Sequence, residues 1–577
     1  MIKKENLYNK KIDVAYFSME IMLETDIPTY AGGLGILAGD LLRTCADMRR
    51  PAIGVSLVYS GNQFQQVINP DGSQIFKKTE WQKLDQLNKL DESILLDVYG
   101  KKLKVNIWRY DIVGFEGFLV PVFLLDTDFI NNEDWGRDIT KNLYGGSGAT
   151  RILQELVLGV GGVRFLRKLG FNDIKTFHLN EGHTAFAVLE LLKENNYDLN
   201  IVKSKTVFST HTPVPEGHDR FDYQFAYDNI GSYLPWNIKE LATSDNLSMS
   251  DLALNCSKKS FAVSKKHFFV ASSMFPNNKI DYVTNGVHPR TWISSALQDV
   301  YNEYLPGWIN DPSKFKQAES KIPNDALEVA HKISKKELID YVNSRLTSVS
   351  NQEEKNNPLP EQLFDLETLT ISIARRPVSY KRPLLLYTDI ERFARIGVGK
   401  IQIIQCGKSH PQDDVSKEFV KKIVEISKRL KTLLRVVYLE DYSPKIARLL
   451  VGGSDVWLNT PRRPLEASGT SGMKASLNGV INFSILDGWW IEAFEQNPEA
   501  GFSIGPLEYT VAYSGETNDL EDADSLYKKL EEEVIPLYYN LKSKWLEKMK
   551  KSITLGGYFN TFRCINEYKS KAWDIEG

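Results

Sequence analysis

The feature that most constrains this fold is a rhythm in the second half of the chain. "LTISIAR", "KIQIIQCG", "LLRVVYLED", "DVWLNT" and "GVINFSILDG" are short β-rich runs, separated by helical patterns such as "SKEFVKKIVEISKRLK". A strand that is apolar at successive positions must bury both faces, and strands joined through helices can pair in parallel. The spacing therefore predicts a parallel sheet with helices on both sides. The first half repeats the rhythm more loosely in "IDVAYFS", "AIGVSLVYS", "FLVPVFLLD", "KTFHLN", "KTVFSTH" and "IDYVTNG", with a helical pattern in "ATRILQELVLGVGGVRFLRKLG" that ends at a glycine. With 577 residues and α/β domains running to about 250, two α/β domains are expected. We place them at 1–290 and 291–577, with the last helix packing back on the first domain.

Composition narrows the function classes. A chain that is 42% hydrophobic and 25% charged has ample core, and its net charge of −3 provides no global basic field for nucleic acid or an anionic membrane. The opening "MIKKENLYNKKIDVAYF" lacks the apolar stretch of a signal peptide, and no run approaches the roughly 18 apolar residues of a membrane helix. The four cysteines are scattered, with no CxxC pair. A cytoplasmic protein with neither nucleic-acid nor membrane partners is expected. The polar stretch "SNQEEKNNPLPEQ" reads as an exposed loop between helices.

In open parallel sheets, ligands bind beyond the carboxyl ends of the strands. Here the unusual residues follow the predicted strands: "HLNEGH" (178–183), "THTPVPEGH" (210–218), "TNGVHPRTW" (284–292), "ARRPVSYKR" (374–382), "EDYS" (440–443) and "NTPRRPLEASGTSGMK" (459–474). Five of the eight histidines fall in the first three. His178, Glu181 and His183 do not have the HExxH spacing, and no third ligand cluster accompanies them, so no metal site is expected. "TYAGGLGILAGD" (29–40) is a glycine loop entering a helix. It suits either a tight packing turn or backbone N–H groups aimed at an anion. "ARRPVSYKR" sets Arg375, Arg376, Lys381 and Arg382 within eight residues with no acid among them, as a solvated basic loop or a phosphate site would. His211, in a proline-stiffened turn, suits a base, a hydrogen-bond partner for substrate, or a capping role.

The stretch "EASGTSGMKASLNG" (466–479) carries one lysine in a run of small residues. Ser468 or Thr470 is expected to cap a helix that Asn478-Gly479 ends, with Met473 and Leu477 facing the core. Lys474 then lies close to the buried side, where an amine costs free energy unless it is paired, neutral or used in a bond. A lysine beside a glycine- and hydroxyl-rich phosphate cradle fits pyridoxal phosphate, and snorkelling to solvent is the plainer alternative.

Together these pieces resemble the α-glucan (glycogen, starch, maltodextrin) phosphorylases, in the short bacterial and archaeal branch. The motifs carrying the likeness are "AGGLGILAGD", "LYGG", "HLNEGH", "THTPVPEGH", "TNGVHPRTW", "RRPVSYKR", "LEDY" and "RPLEASGTSGMKASLNG". The resemblance implies an α/β fold of two facing Rossmann-like domains, the GT-B arrangement, with the active site in the interdomain cleft. The first would be the glucan-binding domain and the second would carry pyridoxal 5′-phosphate. It implies attack of inorganic phosphate on the terminal α-1,4-linked glucose of a glucan, releasing α-glucose 1-phosphate with retained configuration. It implies that Lys474 binds the cofactor, with Thr470, Trp292, Tyr442 and Arg375 around it. Arg376 and Lys381 would hold the substrate phosphate together with the backbone at Gly33. Asn285, Tyr380, Glu466, Ser468 and Gly469 would contact glucose hydroxyls. His211 would contact the 6-hydroxyl, with Gly32 and Leu34 completing that wall. A homo-oligomer is expected.

The chain also departs from the longer animal-type enzymes. Val378 and Ser379 stand where those have histidine and glutamate, and Ser443 where they have arginine. Two competing readings are a nucleotide-sugar glucosyltransferase of the same architecture, such as a glycogen synthase, and a catalytically silent glucan-binding protein. The first has no need of an aldehyde-binding lysine, and the second has no reason to keep Arg376, Lys381, Lys474 and His211 together.

Overall fold

The computed structural model describes residues 11–61, 64–79, 81, 83–350, 363–506 and 518–575. The polar loop expected around 350–362 falls almost wholly on 351–362, outside the described residues. The chain divides into two compact units, one of Met1–Gln63, Glu80–His288 and Thr561–Gly577, the other of Phe64–Thr79 and Pro289–Asn560. Among the described residues no helix is long and apolar enough to cross a membrane.

The second unit is built on a six-stranded parallel sheet. Its order is Arg435–Leu439, Ile401–Cys406, Leu369–Ala374, Val456–Asn459, Ile481–Ile485, Gly501–Ile504. Numbered along the chain, this is 3-2-1-4-5-6, the doubly wound order in which the sheet grows outward in both directions from its first strand. The β-branched runs are buried at every position where they form the sheet centre, as in Leu369–Ala374 and Ile481–Ile485. The switch point lies between Leu369–Ala374 and Val456–Asn459, which pair directly.

The first unit holds a nine-stranded sheet. Seven strands are parallel, in the order Ile280–Tyr282, Lys259–Ala262, Thr206–Ser209, Thr176–Asn180, Val14–Ser18, Ala52–Leu57, Leu119–Asp126, and Lys101–Val113 and Asn88–Val98 follow antiparallel. Its switch point lies between Val14–Ser18 and Thr176–Asn180. Period-two alternation feeds two separate cores: Ala15 and Phe17 point into one, Val14 and Tyr16 into the other. The second core is closed by helix Gly33–Asp47 and by helix Thr561–Lys571, through Cys564, Ile565 and Tyr568, with Trp573 just beyond it.

Candidate active site

In the second unit most of the candidate side chains come from the two loops that leave the switch point, after Leu369–Ala374 and Val456–Asn459. They are stitched to each other through the backbone. Arg462 N donates to Tyr380 O (2.6 Å), and Thr460 Oγ1 donates to Lys381 O (3.1 Å). The basic run 374–382 contains no acid, but the fold brings acids to it from elsewhere. Lys381 Nζ is hydrogen-bonded to Glu466 and lies 4.8 Å from the Tyr380 ring centroid. Burial works against its charge, yet the neighbouring Glu466 and Tyr380 hold its pKa above the usual lysine range. Arg382, in the left-handed region at φ 46°, is buried on Thr460 O (3.0 Å), Pro461 O (2.9 Å), Asp519 (2.9 Å) and Asp522 (2.8 Å). It is a structural bolt rather than a phosphate ligand. Arg376 is exposed and reaches Asp413 at 3.4 Å. Arg375 donates to Leu458 O (2.8 Å) through Nη2, while Nη1 is buried with no protein partner. Burial pulls its guanidinium down to about 10.

The stretch 466–479 begins as a buried loop. Glu466 N donates to Asp487 (2.9 Å), Ser468 O accepts from Trp489 N (2.9 Å), and Gly469 takes φ 80°. The expected cap is not made. Thr470 occupies the N-cap position of helix Ser471–Ser476 in a right-handed helical conformation, and its side chain accepts no capping bond. Capping needs an extended residue whose oxygen turns back on the first N–H groups. Ser468 Oγ is buried without a protein partner. Met473 and Leu477 are buried, as their spacing predicts. At Gly472 a Cβ would sit 2.4 Å from Asn482 Oδ1 and 2.8 Å from the Trp489 ring, so only glycine lets this helix settle on the sheet.

Lys474 is 5% exposed, and its Nζ lies 3.7 Å from the centroid of the Trp292 ring. One side chain enforces this meeting. Asn478, fully buried, donates through Nδ2 to Trp292 O and Lys474 O (2.9 Å each) and accepts from Ser294 N at Oδ1 (2.8 Å). The asparagine read as a helix terminator is thus a clamp between two segments, and Gly479 at φ 71° makes the turn. Tyr442 is half-buried against the cluster that contains Leu450, Val451 and Trp457.

In the first unit, Glu20 follows the first strand and is buried. Its Oε2 accepts from Ala31 N (2.7 Å) and Gly32 N (3.0 Å), and its Oε1 from Tyr144 Oη (2.8 Å). A carboxylate therefore uses two of the N–H groups the glycine loop offered to an anion. Beyond it, no atom lies within 4 Å of where a Cβ on Gly32 or Gly33 would be, so the loop borders open space there, with Leu34 next in the helix. Glu181 follows Thr176–Asn180 in the left-handed region (φ 75°) and gathers Gly182 N (2.9 Å), His211 N (2.8 Å) and Thr212 Oγ1 (2.9 Å). Burial resists its ionisation, but His218, His211, His183 and the Gly182 N–H hold it at about 2. Burial lowers His211 to about 4, against the pull of Glu181, so its imidazole is neutral at pH 7, and Nε2 is buried without a protein partner. His178 is part of the core, between Ser209 Oγ (2.9 Å) and Trp573 Nε1 (2.9 Å). Asn285 is buried, its backbone held by Val263 O (2.9 Å) and Arg563 (3.1 Å).

Sequence reasoning did not single out Glu20, Asp487 or the clamp role of Asn478. Glu20 was within reach, because it stands just after a strand like the motifs that were found.

A family model described as carbohydrate phosphorylase matches residues 236–513. A maltodextrin phosphorylase of Thermococcus litoralis is 36% identical over 97% of this chain and 70% of its own length. A glycogen phosphorylase of Aquifex aeolicus is 36% identical over 99% of this chain and 87% of its own. A glycogen phosphorylase of Mycobacterium tuberculosis is 33% identical over 96% and 70%.

Proposed function

The chain belongs to the carbohydrate phosphorylase family, and on that premise we propose that it is an α-1,4-glucan phosphorylase. It would transfer the terminal glucosyl unit of a glucan to inorganic phosphate, giving α-glucose 1-phosphate, reversibly and with retention. The observation that carries the reading is the buried amine of Lys474 on the face of Trp292, held by the Asn478 clamp.

The residues around Lys474 fit pyridoxal 5′-phosphate. The amine is positioned to hold an aldehyde, Trp292 offers a flat face, and Ser468 Oγ and Arg375 Nη1 are buried polar atoms without protein partners. Thr470 and Tyr442 complete the proposed cofactor set. When bound, the cofactor supplies a second phosphate group able to exchange a proton with the substrate phosphate.

The chain's own residues do the rest. Two phosphates at close quarters repel, and Arg376 and Lys381 would offset that charge. An ammonium has three N–H donors, so Lys381 can keep Glu466 and still present two to phosphate. Glu466, Ser468, Gly469, Tyr380 and Asn285 would hold sugar hydroxyls. Neutral His211 can bond the 6-hydroxyl through Nε2, with Gly32, Gly33 and Leu34 as the adjoining wall. The C1–O bond to the leaving sugar breaks, a C1–O bond to phosphate forms, and the leaving oxygen takes its proton from phosphate. No carboxylate pair is needed, unlike in a glycosidase.

The test is phosphate-dependent release of glucose 1-phosphate from maltodextrin, with bound cofactor read by near-ultraviolet absorbance. Wild type is expected to show both and Lys474→Ala neither. A wild-type protein that binds no pyridoxal phosphate and instead transfers glucose from a nucleotide sugar overturns the reading.

A further inference from the structure

The hairpin Phe64–Ile68 and Gln74–Lys78 lies in sequence between two strands of the first unit's sheet, yet it belongs to the second unit. Its docking point is the dipeptide before Tyr442. Ile68 N donates to Glu440 (2.9 Å) and Gln66 N to Asp441 Oδ1 (3.2 Å), while Asp441 N donates back to Gln66 Oε1 (3.1 Å). Gln66 is fully buried, and its Nε2 donates to Gln74 Oε1 (2.6 Å). Lys408 Nζ bonds Asp441 Oδ1 (2.8 Å) and the carbonyl of Phe64.

We propose that Gln66 is a positioning residue for Tyr442, acting through the backbone of Asp441. Asp441 is in the left-handed region, φ 57°, which is uncommon for L-residues although aspartate tolerates it better than most. Gln66 holds it from both sides of the residue, by side chain and by main chain. On the far side of Tyr442, Ser443 is the N-cap of helix Pro444–Gly453. Tyr442 therefore has a fixed peptide before it and a fixed helix start after it. The same network reaches the basic loop, because Lys408 follows strand Ile401–Cys406 and Cys406 O accepts from Arg375 N (3.0 Å). A hairpin serving only to cover apolar surface would not bury a glutamine in reciprocal bonds with Asp441.

The inference rests on the proposed place of Tyr442 beside the cofactor, and the test separates the two. Hydrogen exchange and cofactor release are measured on the full-length holoprotein for wild type, Gln66→Met and Asp441→Asn. Gln66→Met keeps the shape and removes both the acceptor for Asp441 N and the donor to Gln74 Oε1. Exchange in 440–443 and the rate of pyridoxal phosphate release are each expected to rise about tenfold, within the scale of the two partly buried hydrogen bonds lost, with strand Ile401–Cys406 unchanged. Asp441→Asn, which keeps an oxygen acceptor and tolerates the left-handed region, is expected to stay within about twofold of wild type. Lys408→Met, at a partly exposed side chain, is expected to move both readouts in the same direction and covers the case of a Gln66 variant that fails to fold. A folded Gln66→Met or Lys408→Met with wild-type exchange and release overturns the proposal. If wild type holds no pyridoxal phosphate, the functional reading falls, while exchange at 440–443 still decides whether Gln66 positions Tyr442.

Discussion

Asn478→Ala tests the clamp that brings Lys474 to Trp292. The side chain makes three hydrogen bonds, buried at Trp292 O and Lys474 O and partly buried at Ser294 N, and the bonds to Ser294 and Trp292 join separate segments. Each is worth about 1 kcal/mol net, and truncation takes the side-chain partner from one N–H and two C=O groups, so the loss is about 3–4 kcal/mol. At roughly 2 °C per kcal/mol for a unit of this size, the melting temperature should fall by about 6–8 °C. Calorimetry reads this directly. Modification of Lys474 by an amine reagent, followed by mass spectrometry, reads the local consequence: a lysine 5% exposed in wild type should react faster once its helix is released from Trp292. Asn478→Leu separates the causes, since it fills the volume without the bonds. A leucine variant as stable as wild type, or an alanine variant whose melting temperature falls by less than about 2 °C, would mean the hydrogen bonds do not hold the segments together.

Gly472→Ala should cost about 1–3 kcal/mol by overpacking against Asn482 and Trp489, measured by denaturant unfolding; a neutral result would show that the helix can shift away. Arg376→Ala should leave stability within about 0.5 kcal/mol, because the side chain is exposed, while phosphate saturation weakens ten- to a hundredfold; loss of maltodextrin affinity with normal phosphate saturation would refute the role. His183, His211 and His267 are lowered to about 4 and His178 to about 3, in each case chiefly by burial. The unfolded chain, with histidines near 6.5, binds more protons below that value, so stability is full above it and falls as pH drops from about 6.5 toward 4, by up to about 1.4 kcal/mol per pH unit per histidine. A melting temperature that stays flat over that window would contradict their burial in the neutral form.

The parallel strands were legible because burial on both faces leaves an unbroken apolar signature. All five β runs read in the second half are strands of its sheet, whereas Gly501–Ile504 and Lys259–Ala262 were too short and mixed to stand out. The hairpin 64–79 was illegible for another reason. Its docking uses Glu440 and Asp441, far away in sequence, and a buried glutamine that pattern reading assigns to a surface. Among site residues, Lys474 stood out as one charge in a small-residue run. That acids answer the basic loop did not, because Glu466, Asp413 and the helix carrying Asp519 and Asp522 come from three other places in the chain and only the fold brings them together. The same holds for Asn478, whose side chain looks like a turn signal until Trp292 and Ser294 arrive beside it.

The return of residues 561–577 to the first unit sets an order of events during synthesis. The core that Gly33–Asp47 begins is completed by Cys564, Ile565, Tyr568 and Trp573, and buried His178 waits for the indole of Trp573. Those residues are translated after the whole second unit. The ribosome therefore presents a first unit with an open apolar face for as long as it takes to make residues 289–560, whereas the residues assigned to the second unit, 64–79 and 289–560, all precede that closing segment. The unit that starts first should thus finish last, and in the interval its uncovered face is the surface a chaperone would have to shield.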